Sequence, residues 1–231
     1  MIRTTRKLDD LSTQLTIPSL VYQGVSRTFL KAFPAVPSKY RYNITICNEK
    51  RFLWFRVAKV GTRSIFNLFE KSDLVLDAEY PYWCHYPLGV YQNYFKFAFV
   101  RNPWDRLVSC WLNKVVNSNH FGFSESTLSK MQNFDYFIQY LDDLDLDNCD
   151  NHIRRQSKLI DLNNLNFIGR FESFEEDLLK VADILKIDQV EIQKKNSSKD
   201  RNNYKNYYTP ELADKVADLY KIDINLFSYQ Y

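Results

Sequence analysis

The sequence has little of what marks several large protein classes. Its four cysteines, Cys47, Cys84, Cys110 and Cys149, are scattered without metal-ligand or Cys-x-x-Cys spacing, so reduced thiols are expected rather than a zinc site or a disulfide framework. No run approaches the ~20 apolar residues of a membrane span, which excludes a helical anchor in this stretch. The first ten residues, Met1 to Asp10, lack the apolar centre of a signal peptide, and a cytoplasmic protein is the simplest expectation. There is no excess of one charge either: the net charge of +3 is spread over 31 basic and 28 acidic residues, so no basic stripe for nucleic acid is expected. A Walker A loop is also absent, because the lysine at 59 precedes the glycine at 61 instead of following it. What remains is an ordinary globular composition, rich in Phe and Tyr, at a length that suits one α/β domain over residues 1–231.

The informative stretch runs from Arg51 to Glu70. Residues 52–57 form an apolar run of strand length, as expected of a strand buried on both faces of a parallel sheet. From Ile65 the apolar positions Ile65, Leu68 and Phe69 take helical spacing, so a helix begins within a turn of Gly61. Strand, glycine turn, helix is a phosphate cradle: first-turn N–H groups and the macrodipole both favour an anion, and Lys59 adds a full charge. The string Lys59-Val60-Gly61-Thr62-Arg63-Ser64 resembles the 5′-phosphosulfate loop of sulfotransferases, which bind 3′-phosphoadenosine 5′-phosphosulfate (PAPS).

A second unit repeats the arrangement. Phe95 to Val100 reads as a buried strand, Asn102 as an N-cap and Pro103 as the first helical residue. Trp104, Leu107, Val108, Trp111, Leu112 and Val115 then form one apolar stripe. The string Arg101-Asn102-Pro103-Trp104-Asp105-Arg106-Leu107-Val108-Ser109 resembles the 3′-phosphate-binding strand–helix of the same family. Its wording is closest to the carbohydrate sulfotransferases of the Golgi type and their bacterial relatives. The resemblance covers residues 51–231 and implies a P-loop-like α/β fold with a central parallel sheet flanked by helices, after an irregular lead-in over 1–50 in which Tyr40–Ile46 reads as an edge strand. It implies transfer of a sulfuryl group from PAPS, without a metal, to a hydroxyl, expected on a carbohydrate. Lys59, Gly61, Thr62, Arg63 and Ser64 would hold the 5′-phosphosulfate and Arg101 and Ser109 the 3′-phosphate. Ala58 stands where the family usually has proline, and Arg63 where it has a small hydroxyl residue.

Further along, 133–148 reads as a helix ending in an acidic run that fails the EF-hand pattern, and 167–172 as a third buried strand. Ser173 and Glu176 have capping-box spacing before a helix reaching Lys186. Thr209 and Pro210 open a final helix. The basic stretch 193–206 is a linker or, by resemblance, a loop over the nucleotide using Lys199, Arg201 and Lys205. His152 and Gln156 resemble a His-x-x-x-Gln segment of the family and are expected to orient the acceptor or to be structural.

A sugar hydroxyl needs a proton acceptor, which suits histidine. His85 lies between two prolines, so on an extended segment. Its position between the two cofactor motifs resembles that of the catalytic histidine in sulfotransferases, with Lys59 as the charge-stabilising partner. His152 is the alternative base and a carboxylate the third, while His120 lies in a loop with no cofactor motif beside it. Two other functions use the same parts. A nucleotide or small-molecule kinase would need Mg²⁺ on a P-loop hydroxyl and a strand-end aspartate, and a noncatalytic anion-binding protein on a degraded enzyme fold would keep the core stripes and lose the charged site residues, so Lys59, His85, Arg101 and Ser109 argue against it.

Overall fold

In the computed structural model the described residues are 33–79, 83–187 and 201–231, with side chains of the last segment from 204 onward. Five strands form one sheet: β1 (Ile44–Cys47), β2 (Phe52–Phe55), β3 (Ala78–Glu79), β4 (Phe95–Val100) and β5 (Phe167–Arg170), in the order β3-β1-β2-β4-β5. The expected parallel core is present, since β2 pairs β4 and β4 pairs β5 in parallel. The sheet as a whole is mixed, because β1 is antiparallel to both β2 and β3. The reason is the link between β1 and β2. Residues 48–51 close a tight turn, with the Arg51 N–H donating to the Asn48 carbonyl and Arg51 at φ 51°, and so short a link permits only an antiparallel neighbour. The strand expected at the sheet's edge is thus interior and fully buried, starting at Ile44, while Tyr42 only bridges to Cys84.

The helices follow the sequence closely where apolar stripes are long. Helix α1 (Thr62–Lys71) buries Ile65, Leu68 and Phe69. Helix α2 (Pro103–Trp111) buries Trp104, Leu107, Val108 and Trp111 and is capped as expected, the Asn102 side chain accepting from the Trp104 N–H. It runs on into a π turn, Leu112–Val116. Helices α3 (Glu125–Met131) and α4 (Phe134–Tyr140) come next. Helix α4 is shorter than expected: past a 3₁₀ turn at 141–143, the acidic run becomes turns in which Asp145 takes the Asp147 N–H and the Asn148 amide. Such aspartate bonds compete with helix. Helix α5 (Phe174–Leu185) lacks its capping box, because the Ser173 hydroxyl donates to Asp177 instead. A 3₁₀ helix (Arg201–Tyr207), α6 (Pro210–Leu219, capped by Thr209) and α7 (Lys221–Phe227) complete the chain. No helix among the described residues is long and apolar enough to cross a membrane.

Because β2, β4 and β5 are parallel, their carboxyl ends share one edge, where ligands of open α/β sheets bind. Close packing beneath that edge depends on two glycines. A Cβ on Gly169 in β5 would meet the Phe99 ring of β4 at 2.4 Å, and one on Gly61 would meet Phe174 at 2.6 Å.

Candidate active site

A cavity of about 1290 Å³ opens at that edge. The turn after β2 contributes Lys59, Gly61, Thr62, Arg63 and Ser64. The unit after β4 contributes Arg101, Ser109 and Lys114, and the segment before Gln156 contributes Asn151 and His152. The seven residues expected to hold the phosphosulfate and the 3′-phosphate therefore line one space.

The first turn is wound tightly. Lys59 and Gly61 both take positive φ, 73° and 88°. For lysine this is a strained conformation of the kind found at functional sites. Thr62 Oγ1 donates to the Val57 carbonyl at 3.2 Å and closes the turn. Gly61 offers no side chain to cap α1, so the Thr62 and Arg63 N–H groups face the cavity end of the helix. Burial pushes the Lys59 ammonium down to about 8. Cys110 opposes that shift, and Arg101, Lys114 and Arg63 add to it. The amine is still mostly charged at neutral pH.

Arg101 is 4% exposed and acts as a brace as well as a wall. Its Nε and one Nη grip Asp105 at 2.7 and 2.6 Å, the other Nη donates to the Lys59 carbonyl at 3.0 Å, and its plane lies 4.1 Å over the Phe171 ring. These bonds use three of the five guanidinium N–H groups and leave two for an anion. Gln156 is fully buried and exchanges two bonds with the Arg101 backbone, N–H to Oε1 at 2.9 Å and Nε2 to the carbonyl at 2.8 Å. It clamps the end of β4 and cannot meet an acceptor, so of the two roles expected of it the acceptor-orienting one is corrected and the structural one remains. Asp223 of α7 holds the clamp from behind through the Gln156 and Ser157 N–H groups.

The histidines are placed differently from expectation. His85 is exposed and does not line the cavity; its Nδ1 bonds the Ser38 carbonyl at 2.7 Å beside the Tyr42–Cys84 bridge. His152 does line it. His152 and Gln156 do not share one helix face, since His152 sits in a turn and Gln156 in a 3₁₀ helix. His152 Nδ1 lies 2.8 Å from Asp150 Oδ1, and His120 Nε2 lies 3.2 Å from Asp150 Oδ2. An N–H at Nδ1 facing the carboxylate leaves His152 Nε2 as the free acceptor. Burial lowers the His152 pKa below the usual histidine value; Asp150 pulls it up, and Lys114 and His120 push it down. Partial burial raises the Asp150 carboxyl, but bonds from the His152 ring and N–H, with His120 behind them, outweigh it and hold Asp150 well below the usual carboxylate range. Donor atoms of His120, Asp150 and His152 lie within 4.8 Å of one another, close enough to gather a cation. Both Asp150 oxygens are already engaged by the two rings, and the Lys114 ammonium beside His120 opposes further positive charge.

Arg106 escaped the sequence reading. It is 1% exposed and donates to three carbonyls, those of Ala58, Arg154 and Asn151, at 3.1, 2.9 and 2.7 Å. It ties the first turn to the segment that carries His152. Its place beside the apolar stripe of α2 was the available signal, but nothing local names its partners. Of the basic stretch, Lys199 lies outside the described residues, Arg201 is described only as the start of the 3₁₀ helix, and Lys205 lies 4.7 Å over the Tyr231 ring.

The sequence profile described as "Sulfotransferase family" matches residues 42–230. Carbohydrate sulfotransferase 14 of Mus musculus is 28% identical over 186 residues, which cover 69% of this chain and 48% of that protein, so the chain spans about half of that relative's length. No solved structure matches significantly. Since the profile takes in the whole sheet, the cavity and most of the chain, this protein belongs to the sulfotransferase family.

Proposed function

We propose that the protein transfers the sulfuryl group of PAPS to a hydroxyl of a carbohydrate, in a P-loop-like site. The observation that carries this is the convergence of the open α1 N-terminus, Lys59, Arg101, Ser109 and His152, the last held by Asp150 behind it, on one cavity in a member of this family. Single-ligand pockets span ~300–1000 Å³, so about 1290 Å³ leaves space for an acceptor beside the donor. The carbohydrate acceptor rests on the relative's name alone, and a cytoplasmic location on the scattered spacing of the four cysteines in the sequence.

The donor's anionic groups match the residues available. The first turn of α1 offers N–H groups, Ser64 and Arg63 add polar and charged contacts, and Arg101 with Ser109 gives a fork and a hydroxyl for a second phosphate. In the transfer the acceptor oxygen bonds to sulfur as the bond from sulfur to the phosphate oxygen breaks. The acceptor's proton passes to His152 Nε2. The electron pair of the broken bond stays on the phosphate oxygen, where the Lys59 charge stabilises it more than it does the ground state. His152 replaces His85 as the proposed base because it lines the cavity and is oriented by a carboxylate.

The test is to incubate the protein with PAPS labelled in the sulfuryl group and a panel of glycans, nucleosides and phenols, with and without chelator. Label should appear on a glycan at a rate the chelator leaves unchanged. Transfer to none of the panel, or transfer lost on chelation, would reject the reading.

A further inference from the structure

Helix α2 does not stay regular beyond Ser109. It widens after Trp111 into the π turn, a device that recurs where side chains are re-aimed at functional sites. Both Asn113 and Lys114 of the widened turn line the cavity, while Val115 stays in the core. Lys114 is half-buried, and its Nζ lies 3.5 Å from His120 Nδ1. As an ammonium can only donate, His120 Nδ1 accepts, and its other nitrogen carries the N–H directed at Asp150. Lys114, His120, Asp150 and His152 thus form one chain of bonded side chains. Lys114 lines the same cavity as Lys59 and His152, and its charge is felt at both.

Lys59 and His152 leave one part of the reacting group without a partner. Lys59 serves the oxygen that leaves sulfur and His152 the oxygen that arrives, but the three nonbridging oxygens of the sulfuryl group also carry negative charge. We propose that Lys114 contacts these nonbridging oxygens and is a second catalytic cation of the transfer, with His120 as the positioning residue that holds its ammonium toward the cavity. This rests on the reading of the cavity as a PAPS site. A preorganised cation there acts without a reorganisation cost as charge redistributes over the group.

The test uses two nucleotides that differ only by the sulfuryl group, PAPS and adenosine 3′,5′-bisphosphate, titrated calorimetrically without acceptor. The unaltered protein should bind both. Lys114→Met should weaken PAPS about tenfold, the size of one charge-assisted contact, and change the bisphosphate less than about twofold. Lys114→Arg should recover most of the PAPS affinity, since it keeps the charge. Turnover at saturating PAPS should fall about a hundredfold in the Met variant. Equal losses for the two nucleotides would make Lys114 a phosphate-docking residue and overturn the proposal. So would unchanged binding of both, with only a lowered melting temperature. An unaltered protein that binds neither nucleotide would overturn the donor reading and this inference with it.

Discussion

Two strand–turn–helix units stand side by side at the sheet edge, β2 into α1 and β4 into α2, and their helix starts are built in opposite ways. The α1 start is open: glycine at its N-cap, no acidic residue in its first turn, and two positive-φ residues before it. The α2 start is closed, with an asparagine cap, Pro103 at the first position and Asp105 in the first turn. Glu172 also takes the Asn102 N–H at 2.6 Å. One topology therefore yields two kinds of cavity wall. The first can offer backbone N–H groups, whereas the second has used its own and offers only the side chains Arg101 and Ser109.

That contrast makes the two units fail differently when altered. The largest effect is expected at Lys59 in the open unit. Lys59→Ala should lower turnover by ~10²–10³, by analogy with deleting one preorganised charge-stabilising donor. Its pH profile sharpens the point. The Lys59 amine must be protonated, so kcat/KM of the unaltered protein should fall above about pH 8. His152 must be neutral, so an acid limb should appear below the usual histidine value. In Lys59→Arg the alkaline limb should move out, because a guanidinium stays charged. A limb that stays at the same pH would assign it to another group.

Next is Arg106→Met, which removes the tie between the open turn and the His152 segment and leaves three buried carbonyls short of a donor. A loss of about 3 kcal/mol or more in denaturant unfolding is expected. A loss under about 1 kcal/mol would mean that the tie is redundant. In the closed unit, Arg101→Ala should weaken adenosine 3′,5′-bisphosphate by ~1.5–3 kcal/mol and AMP far less, since only the former carries a 3′-phosphate. Equal losses would reduce Arg101 to the brace it also is. The smallest effect is expected for Asn102→Ala, about 1 kcal/mol of stability from the lost cap, with nucleotide affinity unchanged. If affinity fell with stability, the closed helix start would be part of the site after all.

What was legible in the sequence was local. The apolar runs of β2, β4 and β5 and the stripe of α2 are patterns within a dozen residues, and Asn102 and Thr209 accept from N–H groups of their own helices, with Pro103 at the first helical position of α2. That seven residues of the two motifs line one cavity follows because both motifs end at the same sheet edge. What was not legible depends on residues far apart in the chain. Arg106 meets carbonyls 45 and 48 positions away, and Asp150, which holds His152, also bonds His120, 30 positions before it. His85 shows the same limit from the other side. The two prolines correctly indicate an extended segment, but chain order between two motifs says nothing of position in space, and pairing with Tyr42 and Ser38 carries that segment outside the cavity lining. The mixed sheet was missed for a plainer reason, since the four-residue link at 48–51 carries none of the usual glycine or proline turn signals.

The central claim is that the base is the histidine held by Asp150 in the cavity. Single-turnover transfer of the labelled sulfuryl group in His152→Ala and His85→Ala, with nucleotide affinity measured on both, tests it most directly. The account predicts transfer slowed by ~10²–10⁴ in His152→Ala, near-normal transfer in His85→Ala, and nucleotide affinity within about threefold of the unaltered protein in each, since a base acts on chemistry and little on donor binding. Near-normal transfer in His152→Ala, with transfer abolished in His85→Ala, would contradict it.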